Sequence, residues 1–310
     1  MLLRARGGQA MAAFDWYQAT IPAPVDDVLE ACMGLAEGSW LVHSKGMQGY
    51  AHTTAIDSPQ GLLGKVWHGG THARPHAVFT GDQAEEGSKC IRASFPEHFV
   101  TRADPRMDFI DPTAYDRIEG VMASVARSSR IKVGMQGDHK VLKEGRTFEL
   151  GAPTSAVRER LYEKTAEQMA KFAADPVRLA TVPRDWVRLE AQIRPQTLAA
   201  RAQFAAIEPV DAMGSSAWLR AVWLGVVGEK LAPVQVGKPW RQSDDDRAWA
   251  FLLAQYGGLL ERKAAEHGSW ECLGLQIGSD LVERRKAERE SARTGLSVAY
   301  VLGGAGQPAQ

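Results

Sequence analysis

The sequence predicts an α+β fold: a mixed, mainly antiparallel sheet with flanking helices, followed by a helical C-terminal region. Up to about residue 200, short apolar and aromatic runs lie between glycine and proline punctuation, which is the pattern of strands. The few helical segments between them provide too few regular crossovers for a parallel sheet. Beyond that point the apolar residues recur at helical spacing, which predicts helices in place of strands.

The first part of the chain alternates strands with short helices. We predict a strand where turn residues bound an apolar run, and a helix where proline or aspartate stands at the start of a periodic segment. The predicted strands cover residues 14–21, 49–56, 62–68, 75–80 and 98–109, and the predicted helices cover residues 25–35, 82–95 and 112–126.

Three more strands and four more helices complete the prediction. The strands cover residues 146–151, 157–164 and 186–194, and the helices cover residues 197–207, 215–227, 244–266 and 280–292. Trp218, Trp223 and Trp249 are the expected anchors of the helical core. The chain therefore divides into an N-terminal extension (1–13), a sheet domain (14–200), a helical C-terminal region (201–302) and a flexible tail (303–310).

Composition and charge narrow the class of protein. The 37 lysines and arginines balance 37 aspartates and glutamates, so no overall positive charge attracts nucleic acid, and any DNA contact requires local basic clusters. The three cysteines lie far apart and suggest neither a disulfide framework nor a zinc site. No apolar run is long enough for a membrane span and the start does not read as a secretory signal, so we expect a cytoplasmic protein without membrane contact.

Three predicted strands place charged residues at every second position, which gives each strand one charged face and one mostly apolar face. The charged faces hold Arg102, Asp104, Arg106 and Asp108; Arg158, Arg160, Tyr162 and Lys164; and Arg188, Glu190, Gln192 and Arg194. If these strands are neighbours, their carboxylates meet on one surface and repel one another unless a cation lies among them. Oxygen ligands suit magnesium or manganese, and the arginines suit phosphate oxygens.

The pattern alone leaves a second interpretation open. A charged sheet face is commonly a solvated surface on which cross-strand ion pairs contribute little. Tyr162 is then an ordinary half-buried strand tyrosine. In the first interpretation it is a nucleophile whose phenolate is favoured by a nearby positive charge such as Lys164.

Five ordered stretches at these positions resemble the replication initiation factor family. That family includes initiators of Gram-positive rolling-circle plasmids, replication proteins of filamentous phage and relaxases of some integrative conjugative elements. The stretches are Phe-Asp-Trp-Tyr at 14–17 with Thr20; Thr-Arg-Ala-Asp at 101–104 with Asp-Phe at 108–109; Arg-Thr-Phe-Glu-Leu-Gly at 146–151; Arg-Leu-Tyr-Glu-Lys at 160–164 after Ser155; and Trp-Val-Arg-Leu-Glu at 186–190, ending at Arg194-Pro195. Together they cover about residues 14–200.

The resemblance implies a rolling-circle DNA replication initiator, a sequence-specific single-strand endonuclease and strand transferase that forms a 5′-phosphotyrosine link. Residues 14–200 are then the nicking domain, with Tyr162 as the nucleophile and Lys164 as the lysine of the family's Tyr-x-Lys motif. The implied ligands of magnesium or manganese are Asp104, Asp108 and Glu190, and the implied DNA contacts are Arg102, Arg160 and Arg188. Pro105 interrupts one of these strands, so we expect an edge position or a bulge there.

The expected partner is DNA at a replication origin, single-stranded or extruded as a hairpin. No phosphate-binding loop ending in Gly-Lys-Ser/Thr is present, so unwinding requires a host helicase and extension a host polymerase. A homodimer is compatible with the sequence. Two alternatives remain: a conjugative-element relaxase of the same chemistry, and a non-catalytic sequence-specific DNA-binding protein. Tyr115 is the substitute nucleophile if Tyr162 is not the one.

Three histidines, His68, His72 and His76, recur at every fourth position. Gly69, Gly70 and Pro75 would break any helix that could align them. We therefore interpret them as turn and strand-end residues rather than as metal ligands.

Overall fold

The computed structural model describes residues 12–137, 145–237 and 244–294 and confirms the α+β class. The strands are β1 (Ala13–Thr20), β2 (Trp40–Lys45), β3 (His52–Ser58), β4 (Gly61–His68), β5 (His76–Thr80), β6 (Phe99–Ile110), β7 (Val133–Gly137), β8 (Arg146–Leu150), β9 (Val157–Glu163) and β10 (Trp186–Ile193). The helices are α1 (Val25–Met33), α2 (Gln83–Ser94), α3 (Ala114–Ser129), α4 (Lys164–Lys171), α5 (Pro176–Leu179), α6 (Leu198–Phe204), α7 (Pro209–Ala212), α8 (Ala217–Val227), α9 (Asp244–Glu266) and α10 (Trp270–Thr294).

The described strands form one sheet of ten, in the order β2-β3-β4-β5-β1-β6-β10-β9-β8-β7. Every neighbouring pair among them is antiparallel, so the sheet is more uniform than the mixed sheet that we predicted. The antiparallel order places β6, β10 and β9 side by side in the middle of the sheet. These are the three strands for which the sequence predicts charged faces.

One face of the sheet packs against helices. On it, Tyr17 of β1 lies opposite Phe79 and Ala103, and Leu189 of β10 lies opposite Met107 and Leu161. These side chains are buried together with residues from α1, α2, α3, α6 and α8, which gives the apolar half of each strand its partner. Since strand residues alternate, the charged half of each strand faces the other way.

The sequence missed two strands, β2 and β7, and three helices, α4, α5 and α7. β2 and β7 are the two edges of the sheet and are largely exposed, so they carry no alternation of apolar and polar residues to detect. Residue 164, predicted as the end of a strand, instead begins α4, and α5 is only one turn long. The helix predicted over residues 280–292 is the second half of the longer α10.

The chain divides into two compact units, with the boundary between residues 239 and 240. The sheet unit thus extends beyond the domain boundary predicted at residue 200, because Phe204, Leu219 and Trp223 are buried in its core. In the second unit, α9 and α10 contact each other. Trp249 is 61% exposed there, so the prediction that it anchors a core is wrong, while the prediction for Trp223 is confirmed.

The predicted extension (1–13) and tail (303–310) lie almost wholly outside the described residues. Within the described ranges, no helix combines the length and the apolar character that crossing a bilayer requires.

Candidate active site

The register of the sheet brings the predicted site residues together on the face opposite the helices. Arg188 of β10 lies between Asp108 of β6 and Tyr162 of β9, and Glu190 has Arg160 as its neighbour on β9. The predicted adjacency of the three charged strand faces is therefore present. It results from the antiparallel order of the sheet, which a pattern of alternation within single strands does not specify.

Tyr162 and Glu190 form the central contact of this site. The Tyr162 hydroxyl donates a hydrogen bond of 3.0 Å to Oε2 of Glu190. Burial, followed by the negative charge of Glu190, raises the pKa of Tyr162 above its ordinary value. The phenol is therefore neutral at physiological pH, and it needs a base to take its proton when it reacts. A carboxylate within hydrogen-bond distance is the geometry that a nucleophile and its base require.

These two residues lie in an open cavity of about 420 Å³. Its walls come from the central strands, from the neighbouring strands to the left and right of them in the sheet, and from the start of α4. The lining residues are Asp15, Trp16, Thr80, Gly81, Arg102, Gln136, Thr147, Glu149, Arg160, Tyr162, Lys164, Glu167 and Glu190. The cavity is thus rich in charged groups of both signs and gives a ligand access to the tyrosine.

Lys164 lines this cavity from the first residue of α4 rather than from the strand. Its Nζ lies 5.4 Å from the centre of the Tyr162 ring and forms an ion pair of 2.6 Å with Glu167. The residue is buried, so its positive charge acts at short range with little screening by water.

Arg188 occupies the interior of the site. Its Nη1 donates to Asp15 at 2.6 Å, and its Nε and Nη2 donate to Asp108 at 2.7 and 2.9 Å. The indole nitrogen of Trp186 donates to the same Asp108 carboxylate at 2.8 Å. The DNA contact predicted for Arg188 is untested, but a guanidinium that is 1% exposed and binds two carboxylates fits a positioning role instead.

Asp15 is a site residue that the sequence analysis did not single out. It and the next residue, Trp16, both line the cavity, although consecutive strand residues normally point to opposite faces. The pairing of β1 with β6 shifts register between Phe14 and Trp16, and this bulge explains the arrangement. The sequence feature that could have identified Asp15 as a site residue was its position inside the family-like stretch at 14–17.

Pro105 is the residue that faces this bulge. It pairs with Phe14, and β6 lies inside the sheet, so of the two expected alternatives the bulge is the one present, on the neighbouring strand β1. The register between β6 and β10 is the same on both sides of the proline. Asp104 and Asp108 therefore remain on one face, because the irregularity is taken up by β1.

Asp104 is completely buried and binds its neighbour Arg102, whose Nε donates to both carboxylate oxygens at 3.0 Å. The Arg102 guanidinium also lies 3.9 Å from the ring centre of Trp16, a cation–π geometry that fixes its plane. Burial raises the pKa of Asp104 to about 7, against the opposing effect of Arg102.

The three predicted metal ligands each bind arginine instead of facing one another. Asp104 is held by Arg102 and Asp108 by Arg188, while Glu190 is held by Arg160. Across the described ranges, no three His, Cys, Asp or Glu side chains are grouped closely enough to hold a metal ion. In this arrangement the carboxylates do not fit a divalent ion, so the magnesium or manganese site stays a prediction and no reaction step below depends on it.

The substitute nucleophile, Tyr115, lies on the helix-covered face. It is 2% exposed and packs in the cluster that contains Leu161 and Leu189. The centre of its ring lies 4.0 Å from the guanidinium carbon of Arg146. A separate cavity of about 580 Å³ is lined by Tyr115, Arg146 and Glu163 among others. This cavity is larger than the one at Tyr162, but apart from the substitute nucleophile Tyr115 it contains none of the predicted site residues.

The raised pKa of Asp104 predicts how pH affects stability. The folded protein holds this proton more tightly than the unfolded chain, so the contribution of Asp104 to stability is complete below pH 3.8 and is lost as pH rises to about 7. In urea unfolding, the stability difference between wild type and Asp104→Asn should fall across that range by on the order of 1 kcal/mol per pH unit. A flat profile for Asp104→Asn would contradict the raised pKa.

No protein-family model matches this chain, and no curated protein matches it in sequence. One solved structure with a similar fold is described as a rolling circle replication initiator protein from Geobacillus stearothermophilus. The two chains share 18% sequence identity and superimpose with a TM-score of 0.48, covering 75% of this chain and 100% of the other.

Proposed function

We propose that this protein is a rolling-circle replication initiator that nicks one DNA strand with Tyr162 as the nucleophile. The proposal is supported by the ordered family-like stretches in the sequence and by the geometry of the site that they form. One observation carries it: the Tyr162 hydroxyl lies in an open cavity with a hydrogen bond of 3.0 Å to the carboxylate of Glu190.

In the proposed reaction, the Tyr162 oxygen attacks a phosphodiester phosphorus and the bond from phosphorus to the 3′ oxygen breaks. The phenol proton passes to Glu190, and the departing oxygen takes up a proton to become a 3′-hydroxyl. The 5′-phosphate remains on Tyr162 as an ester. Since one ester replaces another, the bond energy is kept for the later closure of the strand.

Negative charge that develops on the phosphate needs positive partners in the cavity. Lys164, Arg102 and Arg160 all line it, and the Arg102 and Arg160 side chains are 18% and 32% exposed. Both arginines already bind carboxylates, so a phosphate would compete with Asp104 and Glu190 for them.

The role of Glu190 predicts the effect of one conservative change. Glu190→Gln keeps the size of the side chain and removes the proton acceptor, so we expect nicking to slow by about a hundredfold, the lower end of what a general base contributes. DNA binding should change much less than nicking. The measurement is the single-turnover rate of conversion of supercoiled to nicked plasmid, with binding followed separately by fluorescence anisotropy.

Glu159→Gln is the matched control for that variant. Glu159 is on the adjacent strand, is 1% exposed and faces the helices, and burial raises its pKa well above the ordinary value. Burial therefore favours its uncharged form, and its amide variant should nick at the wild-type rate. Equal loss of nicking and binding in Glu190→Gln would indicate a structural role for Glu190 instead.

The direct test of the proposal is the identification of the covalent product. The wild-type protein is incubated with supercoiled plasmid that carries its origin and either magnesium or manganese, and the protein–DNA adduct is isolated under denaturing conditions. Proteolysis and mass spectrometry should place the nucleotide on residue 162. A parallel reaction in EDTA tests the predicted requirement for a divalent ion, which an unchanged adduct yield would contradict.

The chemistry of a conjugative-element relaxase would use the same residues. The DNA that is cut separates the two functions: cleavage at an origin of replication supports the initiator, and cleavage only at an origin of transfer supports the relaxase. A protein that binds the origin and forms no adduct in either reaction would be the non-catalytic DNA-binding protein.

A further inference from the structure

We propose that a second cavity on the same sheet face, beside Tyr50 and Trp67, binds an unpaired nucleotide of the DNA strand at a distance from the nicking site. The inference rests on the proposed function for the identity of the ligand as DNA. It adds a binding site in the half of the sheet formed by β4, β5 and β1, where neither the family-like stretches nor the nicking chemistry assigns one.

The cavity has a volume of about 550 Å³ and is walled by aromatic rings. Tyr50 and His72 have ring centres 4.4 Å apart, and Trp67 stacks on His76 with ring centres 5.4 Å apart and planes 19° from parallel. The other lining residues are Gln18, Thr20, Gln48, Ala73, Arg74, Thr101 and Arg201. Stacked rings with polar groups at their edges are what proteins use to hold unpaired bases.

Glycines hold the two loops of this cavity in place. Gly49 and Gly70 have φ values of +89° and +80°, and a β-carbon on Gly70 would lie 2.5 Å from the carbonyl oxygen of Gly49. The loops are joined by a hydrogen bond of 3.1 Å from the Thr71 amide to that same carbonyl. The aromatic walls are thus built before any ligand arrives, which lowers the entropy cost of binding.

The histidines of the cavity serve as ring surfaces and hydrogen-bonding groups. Burial, with the nearby charges of Arg201 and His72, lowers the pKa of His76 to about 4, so that its ring is neutral at physiological pH. Its Nδ1 lies 2.9 Å from the Thr20 hydroxyl. His76 is the first residue of β5 and His72 lies in the loop before it, which matches the strand-end and loop positions expected from the sequence.

The cations of this cavity differ from those at Tyr162. Arg102, Arg160 and Arg188 all form ion pairs with carboxylates. Within the described part of the chain, neither Arg74 nor Arg201 lies within 4.0 Å of a carboxylate oxygen. Their charges are therefore available to a ligand, and a phosphate beside the stacked rings is the group that they suit.

A middle cavity of about 380 Å³ shares lining residues with both sites. It shares Trp16, Thr80 and Arg102 with the cavity of Tyr162, and Gln18, Gln48 and Trp67 with the cavity of Tyr50. Trp67 on β4 and Tyr162 on β9 are five strands apart in the sheet. At the usual strand spacing this is roughly 24 Å, which a few nucleotides of single-stranded DNA can span.

The first test measures binding of a fluorescently labelled thymidine oligonucleotide of roughly 16 nucleotides, a length at the upper end of single-strand site sizes. We expect Tyr50→Ala to weaken binding by about tenfold and Tyr50→Phe, which keeps the ring, to bind like wild type. Arg74→Gln should lower the slope of log affinity against log salt by about 0.7. Arg127→Gln, an exposed arginine on the helix-covered side, is the charge-matched control and should change neither quantity.

The second test locates the DNA directly. Oligonucleotides with a single iodouracil are crosslinked by light to the wild-type protein, and the modified peptides are identified by mass spectrometry. Crosslinks to Tyr50 or His72 support the proposal. Any of three results would overturn it. The first is wild-type affinity and salt slope in both Tyr50→Ala and Arg74→Gln. The others are crosslinks confined to the neighbourhood of Tyr162 and tighter binding of the matching uridine RNA.

These results are independent of the nicking chemistry. If no adduct forms on Tyr162 but the oligonucleotide still crosslinks to Tyr50, the proposed nicking function fails and the binding site stands. If the adduct forms at the wild-type rate in Tyr50→Ala at saturating DNA while its affinity is unchanged, the nicking function stands and the binding site fails.

Discussion

Tyr162→Phe should abolish the covalent protein–DNA adduct, with a loss of nicking rate of at least about a thousandfold. The variant lacks only the hydroxyl oxygen, which is the atom that becomes esterified in the proposed reaction. The ring stays in place, so the fold and the affinity for DNA should be close to those of wild type. The measurement is the yield of denaturation-resistant adduct on a 3′-labelled strand that spans the nick site, followed against time.

Tyr115→Phe is the control for this prediction, because Tyr115 is the other tyrosine considered as a nucleophile. It lies among the helices on the far face of the sheet, so its variant should form adduct at nearly the wild-type rate. An adduct that persists in Tyr162→Phe and disappears in Tyr115→Phe would move the nucleophile to the other face. That result would end the proposal for the Tyr162 and Glu190 pair.

Arg188→Met should lower the free energy of unfolding of the sheet unit by about 3–5 kcal/mol. The guanidinium binds Asp15 and Asp108, and its removal leaves these two partly buried carboxylates with Arg106, at 3.5 and 3.1 Å, as their remaining ion-pair partner. Methionine fills a similar volume, so the loss arises from the excess negative charge rather than from a void. Urea unfolding followed by tryptophan fluorescence measures it, with Arg127→Gln expected to stay within about 0.5 kcal/mol of wild type.

A triple variant separates charge from packing in that experiment. Adding Asp15→Asn and Asp108→Asn to Arg188→Met removes the excess negative charge, so much of the lost stability should return. If the single variant loses less than about 1 kcal/mol, the two ion pairs are not structural. Arg188 would then again be a candidate for the DNA contact that the family resemblance implies.

The sequence predicts well what depends on near neighbours in the chain. Alternation along β6, β9 and β10 placed Asp108, Tyr162 and Glu190 on the charged sides of their strands, and the register agrees. Lys164 shows where this reasoning stops. Two positions beyond Tyr162 it would share the face of a continuing strand, but the chain turns into α4 there, and the lysine reaches the cavity from the helix.

Other features depend on strands that are distant in the sequence. Asp15 enters the site through a bulge in β1, whose cause is its pairing with β6 some ninety positions later. The arginines that bind Asp104, Asp108 and Glu190 were predicted on the same surface, but as DNA contacts. Whether an arginine binds a carboxylate, a phosphate or water depends on a few ångströms of strand register and on burial. The spacing of residues along the chain specifies neither of these.

The sequence by itself therefore determined which side chains of each strand share a face, since the period of two is a local property of the extended backbone. The tertiary structure decided which of those faces adjoin, which charges pair and where the cavities open. Those outcomes follow from long-range strand order and from burial, which bring β1, β6, β10 and β9 together and give the Tyr162 hydroxyl the carboxylate of Glu190 as its acceptor.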